Sequence, residues 1–194
     1  MTFATATLDA MLNALTFTQA SLHSAFPGSI GSNELTGGAP AYARKAITIN
    51  ASSGGSRALN AAVVFDVPVT TVRWVGYWNG ATFIDCAPNG GGTPRNFMAV
   101  PSSDTVYSVA HGFVDTTKIV FYNGVPPAGL TEGTVYFVRD STADTFKVSA
   151  TSGGVAIDMT AASSFQCVVC GITEDVFAVQ GTHTLSTTTQ TIPS

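Results

Sequence analysis

Charge is what this sequence most lacks. Eight Lys and Arg and twelve Asp and Glu make 10% of its 194 residues charged, against roughly 25% in an ordinary soluble protein. The cations are scattered, at 44, 45, 57, 73, 95, 118, 139 and 147. No basic stripe exists to follow a phosphate backbone, which argues against nucleic-acid binding. No apolar run approaches the ~18 residues of a membrane-spanning helix, so no membrane insertion is expected. No Lys or Arg precedes Arg44. The N-terminus therefore lacks the basic region of a secretory signal, and synthesis in a cytoplasm is expected.

Cysteine is equally scarce. Cys86, Cys167 and Cys170 are an odd three, which is no disulfide framework. Cys167-Val-Val-Cys170 has the spacing of zinc and redox sites, but no second ligand pair accompanies it. The surrounding "SSFQCVVCGITEDVFAV" reads as strand, not as the start of a helix. On a strand, residues three apart face opposite sides, so the two thiols diverge. The expectation is small buried apolar residues, with metal or redox use as the alternative.

Catalytic constellations are missing as well. His23, His111 and His183 lie far apart, and His111 precedes Gly112 in a turn. There is no Gly-x-Ser-x-Gly elbow, P-loop or dinucleotide fingerprint. Asp140 and Asp144 flank a turn, where carboxylates usually bond backbone amides. A glycosidase needs two carboxylates facing each other across a cleft. No catalysis, cofactor or metal is expected.

What is present is β-structure. Short strands punctuated by Gly, Pro and Asn at 8–12-residue spacing predict an all-β antiparallel sandwich or barrel-like fold. The one helical signal is near the N-terminus. Leu8, Met11, Leu12 and Leu15 follow the i, i+3, i+4, i+7 pattern, and Thr7 is a candidate N-cap, so a short helix is expected over 7–17. "GLTEGTVYFVRDSTADTFKVSAT" (129–151) reads as two strands about Asp140–Asp144, with Phe146 and Val148 opposed by Thr145, Lys147 and Ser149. "SGGVAIDMT" (152–160) reads as a turn and a further strand. The clearest hairpin is "TVRWVGYWNGATFIDCAP", with Asn79-Gly80 at its turn. Val72, Trp74, Gly76 and Trp78 share one face there and Arg73, Val75 and Tyr77 the other. Both faces carry large apolar residues, so the strand is expected to be buried on both sides, by a second sheet on one and by another subunit on the other. Trp74, Tyr77 and Trp78 are candidates for core or interface packing, or for stacking on a sugar. Arg44, beside Lys45, is a candidate partner for a neighbour's carboxylate, or one of a solvated pair.

Two stretches resemble known modules. In "SLHSAFPGSIGSNELTGGAPAYARKAITINASSGGSRALNAAVVFDVP" and the following "TVRWVGYWNG", Asn33-Glu34, Gly37-Gly38, Tyr42, Ala43, Arg44, Gly54-Gly55, Asn60 and Phe65 stand where a β domain of tailed-bacteriophage tail-fibre and head-fibre proteins has its motif. The segment 172–193 resembles that domain's closing Thr- and Val-rich strand pair. The middle of the chain resembles a second phage module, on "AHGF" (110–113), "KIVF" (118–121), "PPAGLTEGTVYFV" (126–138), "STADTFKVS" (141–149) and "GGVAIDMT" (153–160). The resemblance implies a core domain of 1–104 plus 171–194 carrying an inserted β-module, 105–170. It further implies a structural subunit of a virion (tail, tail fibre, neck or capsid decoration), assembling with other virion proteins and with itself, as a homotrimer. The alternative is a receptor- or glycan-binding module displayed on the same particle.

Overall fold

Alternation and turn chemistry dominate the fold. The structure is a computed structural model that describes residues 4–164, 166–186 and 189–191. Among these, one helix, α1 (Thr5–Ala14), precedes strands β1 (Gln19–His23), β2 (Lys45–Ala46), β3 (Ser56–Ala58), β4 (Val63–Val67), β5 (Thr70–Val72), β6 (Trp74–Asn79) and β7 (Thr82–Pro88). There follow β8 (Met98–Val100), a 3-10 turn (Pro101–Ser103), β9 (Thr105–Tyr107), β10 (Lys118–Tyr122), β11 (Tyr136–Arg139), β12 (Thr145–Ser149) and β13 (Val168–Gly171). The last strands are β14 (Asp175–Phe177), β15 (Gly181–Leu185) and β16 (Thr189–Thr191). The fold is all-β and antiparallel, with one short N-terminal helix.

The chain divides into two compact units. One holds the described residues up to Ala87 and those from Glu174 onward, and the other is Pro88–Thr173. The second unit thus starts before the break at Val100-Pro101 from which the sequence drew an insert of 105–170. The reason is pairing. β8 lies antiparallel to β9, with Ala99 opposite Val106, so the residues before the break belong to the same sheet as those after it.

In the first unit, β2-β1-β6-β7 form a four-stranded sheet, and β14-β5, β15-β4 and β16-β3 form two-stranded ribbons. One face of the sheet is core. Ala20 and Leu22 of β1 and Val75 and Tyr77 of β6 pack there with Phe17, Phe65, Val67 and Leu185. Period two sends the alternate residues, Ser21 and His23 with Trp74, Gly76 and Trp78, to the other face.

The helix differs from its expectation at both ends. It spans Thr5–Ala14, and its N-cap is Ala4, with no side-chain cap bond, so Thr7 lies inside the first turn. It stops at Leu15, whose carbonyl accepts Arg57 Nη1–H at 2.8 Å, and Phe17 then turns into the core. Leu8 and Leu12 are buried, while Met11 and Leu15 stay 44% and 46% exposed. Asp9 docks the helix on the 52–57 loop, its Oδ1 accepting Gly55 N–H at 2.8 Å and Ser52 Oγ–H at 2.6 Å.

The second unit is a six-stranded sheet in the order β13-β10-β11-β12-β9-β8. Its two edges meet through one segment. Just before β8, Arg95 donates to Val169 O at 2.9 Å, and Val169 N–H returns to Arg95 O at 3.0 Å. The sheet thus curls round into an incomplete barrel, joined at this one bridge. Its core holds Phe121, Tyr136, Val138, Phe146, Val148 and Val169. The unit's ends clasp each other, as Thr173 N–H donates to Asn89 O at 2.7 Å and Asn89 Nδ2 to Thr173 O at 3.2 Å.

The 129–151 hairpin is β11 and β12, with Phe137 opposite Ser149 and Arg139 opposite Lys147. Phe146 and Val148 face inward, as the alternation predicts. The segment 152–160 forms no regular strand, contrary to the expectation. Isolated bonds hold it instead: Ile157 N–H to Val148 O at 2.9 Å and Thr160 N–H to Ala128 O at 3.1 Å.

Candidate functional site

Of the residues singled out in the sequence, Trp74, Trp78 and Arg44 gather on the outer face of β1 and β6, while Tyr77 lies on the inner one. Trp74, Tyr77 and Trp78 are 0%, 1% and 6% exposed. A ring buried to that degree has no free face for a sugar, so the stacking role does not apply to these three within this chain. Tyr77 points into the core. Trp74 meets Phe26, ring centroids 4.9 Å apart, and Trp78 meets Phe83 edge-on at 4.9 Å. The second face of β6 is thus covered by the chain's own loop and by β7, and no other subunit is needed to bury it.

Arg44 closes this cover. Its guanidinium lies 3.3 Å from the centroid of the Trp78 ring, and Glu34 of the same chain grips it. Arg44 Nε donates to Glu34 Oε1 at 2.9 Å and Nη2 to Oε2 at 2.7 Å. Arg44 is therefore paired within the chain while 28% of its side chain stays exposed, and Lys45 Nζ stands 3.7 Å from Asp66. A planar fork that also stacks is what lysine cannot supply. R44K is expected to cost about 1 kcal/mol, read as an earlier urea midpoint; an unchanged midpoint would show that the stack contributes nothing.

Beneath the stack runs a chain of polar side chains that the sequence did not disclose. Trp78 Nε1–H donates to Ser21 Oγ at 2.7 Å. Ser21 Oγ lies 2.7 Å from His23 Nε2, and His23 Nδ1 lies 2.7 Å from Ser32 O. The roles follow from the two ends. A carbonyl only accepts, so Nδ1 carries the proton, and the lone pair on Nε2 then takes the Ser21 hydroxyl proton. Burial pushes the His23 pKa down, against smaller upward pulls from Ser32 O and Glu34. The geometry resembles a serine–histidine pair, but Ser21 and His23 are wholly buried, so no substrate reaches them. The missed signal was alternation itself: Ser21 and His23, two apart on one strand, face a Trp-Gly-Trp alternation on the next.

Two glycines make the room. A Cβ on Gly76 would stand 2.5 Å from both His23 Nε2 and Ser21 Oγ. A Cβ on Gly31 would stand 2.5 Å from the Trp78 ring, and Gly31 has φ +77. Glu34 and Arg44 serve this cover, whereas Tyr42 packs on the core side against Phe65, its OH accepting Leu22 N–H at 2.7 Å.

The remaining candidates are structural. His111 Nδ1 accepts Phe113 N–H at 3.0 Å, and Asp144 Oδ1 accepts Ala110 N–H at 2.7 Å. Asp140 instead pairs with Arg139 at 3.2 Å. His183 Nδ1 lies 3.1 Å from Asp175 Oδ2, with burial lowering its pKa. Cys86, Cys167 and Cys170 are all buried. Cys167 joins the barrel core with Val169, while Cys170 Sγ lies 3.2 Å from Gly92 O, so the two diverge as the strand reading predicts. Burial pushes the pKa of both up to about 11, which leaves little thiolate at neutral pH. A recess of about 360 Å³ in the second unit, beside Phe97, Met98, Ser163 and Cys167, has no carboxylate or imidazole in its wall among the described residues. Among the described residues no three of His, Cys, Asp and Glu gather as a metal site, and no helix is long and apolar enough to cross a membrane. Compared with known protein families, curated proteins and solved structures, the chain matches none.

Proposed function

We propose that this chain is a structural subunit of a phage virion, in a tail, tail fibre, neck or capsid decoration, and that it works by oligomeric assembly without catalysis. The observation that carries the assembly reading is the combination of sparse charge with exposed apolar side chains. Only 10% of residues are charged, yet Val69, Val176 and Val179 of the first unit and Val114, Val125 and Val155 of the second are exposed. Removing such surface from water yields roughly 25 cal/mol per Å², and little like-charge repulsion opposes it. The virion setting rests on the motif residues of 21–80 and 110–160. The proposed state is a homotrimer. A receptor- or glycan-binding role would have to use side chains other than the buried Trp74, Tyr77 and Trp78.

Light scattering of the purified protein at two concentrations tests the assembly reading. A trimer or larger ring that persists on dilution is the expected result. A monomer at both concentrations would overturn self-assembly.

A further inference from the structure

We propose that the Ser32–His23–Ser21–Trp78 chain is an acid-sensitive latch that holds the 24–34 segment over the outer face of β1 and β6. The two ends of the chain have fixed chemistry. Trp78 Nε1 only donates and Ser32 O only accepts, so His23 fits the chain in one state, neutral with its proton on Nδ1. A proton taken from solvent at Nε2 points a second N–H at Ser21 Oγ, which already receives the indole N–H. The Ser21 hydroxyl proton then loses its acceptor. Ser21 Oγ has no third partner among the described residues.

The charges nearby do not rescue the imidazolium. The charged and titratable groups on the elements packed around His23 are Glu34, Tyr42, Arg44, Lys45, Arg73 and Asp85, of which only Glu34 and Arg44 act on the ring as charges; Lys45 stands 3.7 Å from Asp66, and Asp85 accepts Cys86 N–H at 2.8 Å. Glu34 and Arg44 act on the ring with opposite signs, both less than burial does, and are bound to each other at 2.7 Å, so their fields oppose. Arg73 is turned to Glu174, 2.6 Å away. Desolvation is left as the largest effect, and it favours the neutral ring. The sign follows. A histidine whose pKa is lower in the closed than in the open state contributes no penalty above the ordinary value of about 6.5, and the closed state weakens as pH falls below it. What opens is the 24–34 segment, fastened by Ser32 O and by the Glu34–Arg44 pair, with Trp78 directly beneath Gly31 of that segment, while Leu35 and Tyr42 stay anchored in the core.

Tryptophan emission reads this directly, because both tryptophans of the chain, Trp74 and Trp78, lie on this face. Acidification from about pH 7 to about pH 4 is expected to shift the emission to the red, beginning below about 6.5. His23→Gln keeps a donor for Ser32 O and an acceptor for the Ser21 hydroxyl but cannot titrate there. It is expected to move the onset to lower pH, while His183→Gln leaves the onset in place. An onset unchanged in H23Q overturns the latch. If H23Q fails to fold, an NMR titration of the wild-type imidazoles decides. His23 is expected to stay neutral and Nδ1-protonated until the emission changes, and titration near its ordinary value without an emission change overturns the proposal.

Discussion

Gly76→Ala is expected to destabilise the first unit by several kcal/mol, although alanine suits a strand better than glycine. Gly76 does not have a left-handed backbone, so on propensity alone the change would be favourable by about 0.5–1 kcal/mol. Space reverses the sign. The new methyl would lie 2.5 Å from His23 Nε2 and Ser21 Oγ and 3.0 Å from Phe83 Cε2. None of these is the loose end of a flexible side chain: Ser21 and His23 are wholly buried and bonded at both ends. Overpacking costs about 1–3 kcal/mol, and separating Ser21 from His23 leaves a buried polar atom unsatisfied for about 1–3 more. Urea unfolding followed by tryptophan emission measures the loss at the site. Stability equal to or above wild type would mean the face is looser than its distances indicate. It would also weaken the case for a latch, since a ring free to move aside could keep a proton.

Phe146→Ala is expected to cost the second unit about 3–5 kcal/mol, the usual loss for an aromatic removed from a closed core. Phe146 is wholly buried and packs edge-on to His111 and Phe113, with centroids 4.9 and 5.7 Å away. It therefore holds the 108–117 turn to the barrel wall as well as filling the core. Amide hydrogen exchange in β10, β11 and β12 reads the loss. Both tryptophans lie in the first unit, so their emission provides an internal control. Protection lost in the barrel strands with unchanged emission is the expected pattern. Unchanged protection would mean that the barrel relaxes around the missing ring.

The all-β character was legible because strands announce themselves locally. Phe146 and Val148 alternate with polar neighbours, and the core lies on the side they point to. The strand reading of Cys167 to Cys170 required diverging thiols, which is how they lie. The helix was legible in kind but not in extent. Its end is set by Arg57 taking the Leu15 carbonyl, a contact from a residue that no local pattern ties to the helix. The irregular 152–160 segment shows the same limit, because its apolar alternation mimics a strand while its bonds go to separate places.

The sequence by itself determined the secondary-structure class, the sparse charge, the two-sided burial of the 74–79 strand and the absence of catalytic motifs. Each of these depends on composition or on a spacing of a few residues. Only the tertiary structure decided what covers the second face of that strand, why Gly76 and Gly31 must lack side chains, and that the second unit begins at Pro88. Each of those depends on which distant segments lie against one another. The space beside a Cβ, and the proton that a buried imidazole can keep, are set by neighbours brought by the fold, such as Ser21, Ser32 and Phe83 around Gly76 and His23.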